Sequence, residues 1–478
     1  IYDCSVMPDV NDDARCARYD ILRYDQYVEK SEKLEAILNR GNVISDTTKM
    51  VHGKGNALDE RFSAMLGEVR IELAKAILKN NHIESTQVLS YYVQTIINRV
   101  LFIRVCESRD LETDGLLQQF ATQGFWDAFK ACSYADFYEH YDGPMFKKIP
   151  PLQSLTIDND VFERFLRQLY YPSPYRFDVI PLKTLSDIYD LFLGYELMVE
   201  GGNVTDALRA EFKKSNGAVT TPAAIVSQVI ECTLPETALS NLSTQELLSL
   251  TIADIACGSG AFLVGVFDHL VKELEKRIAR DEEIAPGYVV QVGDRYNLTV
   301  EGKRAIINHC LYGVDINREA VEVAKMSLSL KLIDSYLPSD FEAVGILGSQ
   351  ILKDVGANIK CGNSLVGVDI HDICPSIVED LYQLQATNAF DWHTEFPTIF
   401  ENGGFDYIVG NPPYVEVKNY NVALPYMAAY VKQMYSSGKN GKTDLAMPFI
   451  EQGVRLLNEH GRLGYIVQKR FFKSDYGK

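Results

Sequence analysis

The sequence predicts an α/β fold, a doubly wound sheet of parallel strands preceded by an all-helical domain. Two patterns predict it. From about residue 201 short apolar runs alternate with amphipathic stretches: "LTIADIA", "AFLVGVFDHLVKELEKRIA", "LYGVDI", "REAVEVAKMSLSLKLI", "IKCGNSLVG", "FDYIVG", "LAMPFIEQGVRLLN" and "RLGYIVQ". That is the strand and helix order of a parallel sheet covered on both faces. Upstream, Leu58, Phe62, Met65, Leu66, Val69, Leu73 and Ile77 recur at three- and four-residue spacings and predict a helix over 57–80. The denser run 86–111 predicts a second helix, buried between neighbours. The expected division is therefore 1–45, a linker or the tail of an upstream domain; 46–200, the helical domain; and 201–478, the sheet domain, with Gly201-Gly202 at the boundary.

Composition narrows the function classes. A chain of 478 residues has room for about two or three domains, and 46% hydrophobic residues suits packed cores rather than disorder. No run approaches the ~18 uninterrupted apolar residues of a membrane helix. Ile1-Tyr2-Asp3-Cys4 is neither a signal peptide nor a natural start, so a fragment or processed form of a cytoplasmic protein is expected. The nine cysteines are scattered, with no C-x-x-C pair and no His cluster at ligand spacing, which favours free thiols over disulfides or a metal site. A net charge of −18 argues against a surface that grips nucleic acid everywhere and leaves room only for a local basic cleft.

In open α/β sheets ligands sit at the carboxyl ends of the strands, and four predicted strand ends carry suitable residues. "DIACGSGAFL" (254–263) has Gly258 and Gly260 for a tight turn and close backbone approach, with Asp254 just before it to face loop amides or a cationic ligand end. An ordinary structural turn would look the same. "LYGVDIN" (311–317) ends in Asp315, where an acid takes the ribose hydroxyls of a nucleoside; the plainer reading has Asp315 capping the helix that begins near Arg318, worth about 1 kcal/mol. The interval from Gly260 to Asp315 exceeds the ~20 residues of a dinucleotide fold, which an inserted helical segment over 272–309 would explain. "KCGNSLVG" (360–367) places Asn363 and Ser364 at a third strand end, suited either to the edge of a purine or to a plain Asn turn. Last comes "FDYIVGNPPYVEV" (405–417). Pro412 and Pro413 fix φ near −65° and push the residue before each out of the helical region, so Asn411-Pro412-Pro413-Tyr414 is a stiff loop directly after a buried strand.

Taken together and in order, "GAVTTPAAIV", "DIACGSGAFL", "LYGVDIN", "CGNSL", "VGNPPYV", "KTDLAMPFIE", "GRLGYIV" and "KRFFKSDYGK" resemble the S-adenosylmethionine-dependent DNA adenine-N6 methyltransferases, specifically the large type IIG restriction-modification family. The resemblance covers about 201–478, and the preceding helices look like that family's connector domain. It implies a Rossmann-like methyltransferase sheet, S-adenosyl-L-methionine as cofactor, no metal in this part, and double-stranded DNA reached through a local cleft. It also implies roles for single residues. Thr221 and Pro222 match the pair that lines the methionine end of the cofactor, although Val219-Thr220 replaces the Tyr-Tyr often found before it. Asp254, Ala256, Gly258 and Gly260 match the methionine- and sugar-binding turn, Asp315 the ribose acid, Ile316 the adenine face and Asn363 the adenine edge. Asn411, Pro412, Pro413 and Tyr414 match the catalytic loop, and Phe472 or Phe471 the aromatic that sandwiches a flipped base.

The chemistry fits that loop. The lone pair of adenine's exocyclic amine is conjugated with the ring and is a poor nucleophile. If the Asn411 oxygen and the Pro412 carbonyl accept its two hydrogens, the nitrogen becomes tetrahedral and its lone pair turns toward the methyl donor. Tyr414 offers a stacking face worth ~1–3 kcal/mol, which offsets part of the unstacking cost. No cysteine nucleophile is required, so Cys257 and Cys361 are expected to be small core residues. Two other readings stay open: a protein-glutamine or other amino-methyltransferase with the same clamp, and a non-catalytic cofactor-binding scaffold. The helical domain, the Thr-Pro element and "KRFFKSDYGK" favour DNA.

Type IIG enzymes carry a nuclease with a P-D…(D/E)-x-K site upstream of the connector. Pro8-Asp9 is present, but Glu29-Lys30 and Glu32-Lys33 have the wrong spacing for the second half, so no cleavage is expected from this chain. In motif order the family's recognition domain follows the catalytic part, which places it beyond 478. Base edges carry the sequence information and phosphate contacts do not, so these residues should bind DNA with non-specific Kd of about 10⁻⁴ to 10⁻⁶ M at best. Gel-shift titrations are expected to separate random from site-containing duplexes by less than about tenfold (~1.4 kcal/mol); a larger ratio would place recognition within this chain.

Overall fold

The computed structural model describes residues 58–109, 111–141, 144–170, 173, 175, 177, 195–200, 203–208, 221–280, 287–292, 295–333, 352–417, 420–439 and 444–468. The expectations for 1–45, for Val219-Thr220 and for Phe471 and Phe472 lie outside the described residues.

The helical layer forms as the periodicity predicts. Helix α1 (Leu58–Asn80) buries Phe62, Met65, Leu66, Val69, Leu73 and Ile77 along one face. Ser85 starts α2 (Thr86–Ser108) by accepting the Val88 N–H at 3.2 Å, and α2 is buried along nearly its whole length. Helices α3 (Phe125–Tyr134) and α4 (Asn159–Leu169) close the layer through an aromatic stack in which Phe125 and Phe162 lie 4.4 Å apart.

Strands β1 (Tyr195–Glu200) and β2 (Asn203–Leu208) pair antiparallel, with Glu200 opposite Asn203. The expected boundary between residues 200 and 201 therefore cuts a hairpin that rests on α1 and α2.

Helix α5 (Ala223–Thr233) leads into the sheet domain. Its chain order is β3 (Ile252–Asp254), α6 (Ala261–Ala279), β4 (Val289–Val292), β5 (Arg295–Leu298), β6 (Leu311–Asp315), α7 (Arg318–Ile333), β7 (Ile359–Cys361), β8 (Phe405–Gly410), α8 (Pro425–Met434), α9 (Ala446–Leu456) and β9 (Leu457–Tyr465). Five strands form one parallel sheet in the order β7-β6-β3-β8-β9, the doubly wound arrangement that was expected. Neighbouring residues on a strand serve opposite faces. Ile252 and Val409 pack with α5, α6 and α7, whereas Ala253 and Ile408 pack on the other side with Trp392, Phe396 and Phe405. The first of these cores runs without a break from Phe62 to Val409, so the helical layer and the sheet share apolar packing.

The insertion between Gly260 and Asp315 differs from expectation. After α6 it contains an antiparallel hairpin, β4 with β5, with Val292 opposite Arg295. The β-branched run Val289-Val290-Gln291-Val292 favours strand over helix, and the reading of 272–309 as purely helical overlooked it.

Gly258 and Gly260 both take positive φ, 52° and 90°. A Cβ on Gly260 would sit 3.0 Å from the Ala324 Cβ and 3.2 Å from its Cα, so the glycine lets α6 begin against the backbone of α7. We expect Gly260→Ala to destabilise the fold by about 1–3 kcal/mol, read as a lower denaturation midpoint in urea. An unchanged midpoint would show that the two helices can part at no cost.

Candidate active site

Four parallel strands end side by side, and their last residues are Asp254, Asp315, Cys361 and Gly410. Above them opens a cleft of about 1650 Å³. Of the residues singled out from sequence, Thr221, Asp254, Ala256, Gly258, Asp315, Ile316, Asn363, Asn411 and Pro413 line it. Pro222, Gly260, Pro412 and Tyr414 stand outside the lining. Pro222 is exposed and precedes α5 as its N-cap residue, while Pro412 is buried. The opposite wall is the start of α2, including Tyr91 and Tyr92, which no local pattern marks as part of a site.

Asp254 is only 2% exposed, and its Oδ1 accepts the Ala256 N–H at 3.0 Å. Burial pushes its carboxyl up to about 8; the Ala256 bond opposes this, and the negative charge of Asp315 adds to it. No cationic side chain pairs with Asp254 among the described residues. Asp315 has different work. Its Oδ2 accepts the Gly258 N–H at 2.9 Å and its Oδ1 the Asn317 N–H at 2.8 Å, so it holds the glycine turn and the start of the next loop together. The helix cap is Asn317, whose Oδ1 accepts the Glu319 N–H at 2.9 Å, and not Asp315. Ile316 offers an apolar side chain to the cleft and is 44% exposed.

Asn363 is 3% exposed; its Nδ2 donates to the Thr387 carbonyl and its Oδ1 accepts the Leu365 N–H, both at 3.1 Å. It builds its own loop and keeps one amide hydrogen for anything else. Ser364, which had no assigned role, donates to the Ile255 carbonyl at 2.6 Å and ties this loop to the glycine turn.

The Asn411 side chain is held at both ends. Nδ2 donates to Thr221 Oγ1 at 3.1 Å, and the Tyr414 hydroxyl lies 2.6 Å from Oδ1 and 2.7 Å from the Ile466 carbonyl. Burial, with Asp444 nearby, pushes that phenol up to about 12, so it is a neutral donor at ordinary pH. Gly410 brings this loop against the first carboxylate, since a Cβ there would meet Asp254 Oδ1 at 2.7 Å. Burial raises the thiols of both Cys257 and Cys361, and neutral thiols are poor nucleophiles.

Residues 186–342 match the family described as N-6 DNA Methylase, and residues 309–478 match the Eco57I restriction-modification methylase family. Over these residues the chain is similar to the N-6 DNA methylases of restriction-modification systems. Among curated relatives of these methylases, the type II restriction enzyme and methyltransferase RM.Eco57I of Escherichia coli is 30% identical over 488 aligned positions, covering 100% of this chain and 46% of that protein. The type II methyltransferase M.BstVI of Geobacillus stearothermophilus is 26% identical, over 55% of this chain and 36% of its own length. The chain thus spans less than half the length of either relative. Among solved structures, the type IIL restriction-modification enzyme MmeI, determined in complex with DNA, shares the fold with a TM-score of 0.52 at 14% identity, over 85% of this chain and 50% of that one.

The buried carboxyl of Asp254 makes a prediction about the ligand-free protein. Its folded value of about 8 lies above the unfolded value of 3.8, so the folded state holds a proton that the unfolded state releases. The stabilisation is complete below about pH 4 and is lost as pH rises to about 8, by up to ~1.4 kcal/mol per pH unit. Asp254→Asn should flatten the fall in urea midpoint between pH 6 and 8, where ordinary carboxyls no longer titrate. An equal slope in the two proteins would place the titration elsewhere.

Proposed function

We propose that the chain transfers a methyl group from S-adenosyl-L-methionine to the N6 amine of an adenine flipped out of double-stranded DNA, as the modification part of a restriction-modification enzyme. The observation that carries this reading is the placing of the Asn411 amide, on a proline-stiffened loop at the end of β8, in the same cleft as Asp254 and Asp315. The residues present fit the cofactor. Asp254, buried without a cation, suits the α-ammonium of an amino acid, and ionises readily once one arrives. Asp315, whose oxygens hold the Gly258 and Asn317 N–H groups, stands at the strand end beside the glycine turn, where a carboxylate suits ribose hydroxyls. Ile316 gives an apolar surface for a purine ring. Ligand pockets commonly measure roughly 300–1,000 Å³, and this larger cleft has room for a cofactor and a base together.

When bound, the cofactor supplies an electrophilic methyl on a sulfonium. The chain's own part is to prepare the amine. Asn411 Oδ1 and the Pro412 carbonyl would accept hydrogen bonds from its two N–H groups and free the nitrogen lone pair from the ring for the methyl; a neutral thioether would be left on the cofactor, and one amine proton would pass to solvent. Both acceptors belong to a loop whose backbone two prolines have already fixed, so little reorganisation is needed at the moment of reaction.

In the enzyme that carries this chain, Asn411→Ala is expected to lower labelled-methyl transfer by about 10²–10³, with cofactor affinity by calorimetry unchanged within about twofold. Transfer at the normal rate would remove Asn411 from the chemistry. Asp315→Asn, which keeps one oxygen for the backbone, should instead weaken cofactor binding by about 1.5–3 kcal/mol.

A further inference from the structure

We infer that Thr221 is a positioning residue that keeps the Asn411 amide in the one orientation able to accept an amine hydrogen. The inference rests on the reading of Asn411 as amine acceptor and goes beyond any contact Thr221 makes with a cofactor. An amide has nearly the same shape after a half-turn about its last bond, but the chemistry inverts: the oxygen that accepts is replaced by an NH₂ that repels an incoming N–H. Something must set its direction.

Among the described residues, two side chains hydrogen-bond to it. The Tyr414 hydroxyl meets Oδ1 at 2.6 Å, on the very atom the amine needs. That hydroxyl has one hydrogen and a second acceptor within reach, the Ile466 carbonyl at 2.7 Å. Oδ1 carries two lone pairs, so it can accept an amine hydrogen beside the Tyr414 O–H. The other end of the amide is held by Nδ2, which donates to Thr221 Oγ1 at 3.1 Å. Among the described residues, Thr221 is the side chain that holds the Nδ2 end, and with Tyr414 on Oδ1 it keeps the oxygen toward the base.

The local fold makes Thr221 a firm anchor. Pro222 follows it with φ at −55° and is the N-cap residue of α5, and a proline restricts the residue before it. Helix α5 packs against α6, β8 and β9, so the threonine hydroxyl is referenced to the same sheet that carries Asn411. The Thr-Pro pair thus has a physical reason independent of the cofactor: the proline and its helix seat the threonine, and the threonine seats the amide.

The test compares Thr221→Val, which keeps shape and loses the hydroxyl, with Thr221→Ser, which restores it. Both are made in the enzyme that carries this chain, and kcat for methyl transfer is measured alongside cofactor Kd. The expected result is a kcat at least tenfold lower for Thr221→Val with Kd within about twofold of normal, and a Thr221→Ser kcat within about threefold of normal. On an Asn411→Ala background, Thr221→Val should cause no further loss. Normal kcat in Thr221→Val, or a tenfold weaker Kd with kcat intact, would overturn the inference and leave Thr221 as a cofactor contact at most. If Asn411→Ala itself transfers methyl normally, it is the amine-clamp reading that fails, and the two failures are told apart.

Discussion

Strand β3 is hydrogen-bonded on both sides, and the register of those two pairings fixes the cleft. Ala253 lies opposite Tyr312 of β6 on one side and Ile408 of β8 on the other. A slip of one residue in either pairing would exchange the two faces of the strand and turn Ile252 and Ala253 toward each other's cores. Both faces are buried in apolar packing, so the register is strongly held. The cleft inherits that register. Three segments far apart in sequence deliver Asp254, Asp315 and Asn411 to one edge because three strands end there. Gly410 marks the tightest point of the meeting, where no side chain fits against the Asp254 carboxyl.

Two carboxyl groups share this edge and do different work. Asp254 is enclosed and accepts the Ala256 N–H, and burial pushes its carboxyl up to about 8. Asp315 collects backbone N–H groups from both neighbouring loops and so acts as the pin of the glycine turn. Replacing Asp315 by alanine would therefore lose the turn's geometry together with any ribose contact, whereas a loss at Asp254 leaves the loops bonded through Asp315. Different local bonding gives one acid a mainly structural duty and leaves the other poised for a cation.

The sequence was legible where chemistry and local geometry coincide. Gly258 and Gly260 announce a turn that demands positive φ, Asp315 announces a strand end, and the Pro-Pro pair announces a fixed loop; each was found at the carboxyl edge. The helices of the first layer were legible from spacing alone. Long-range partners were not. Nothing in "STQVLSYYVQ" says that Tyr91 and Tyr92 face a cleft built more than a hundred residues later. Asn363 could be placed at a strand end, but the sequence could not show that its amide is engaged at both ends by Leu365 and Thr387. The hairpin of β4 and β5 was missed because its strands are short and lie between two helical stretches, where a periodicity count averages them away.

The helical layer does more than cover the sheet. Arg70, almost wholly buried in α1, lies 3.7 Å from Glu319 in the first turn of α7, and the Arg318 guanidinium sits 5.0 Å from the ring centre of Tyr91. Both contacts grip α7 at the point where it leaves the Asp315-Ile316-Asn317 loop. Parting them would expose a buried charge and open a continuous apolar core, each of which costs several kcal/mol in general. That loop is thus fixed from the sheet side by the bonds of Asp315 and from the helical side by α7. The Asn411-Pro412-Pro413-Tyr414 loop is built differently. Its backbone is stiff, but the contact on the functional atom of Asn411 is a hydroxyl with an alternative acceptor beside it. The Asp315 loop is thus pinned from two sides, whereas at Asn411 the Tyr414 hydroxyl takes one of the two lone pairs of Oδ1 and leaves the other for a hydrogen-bond donor in the cleft.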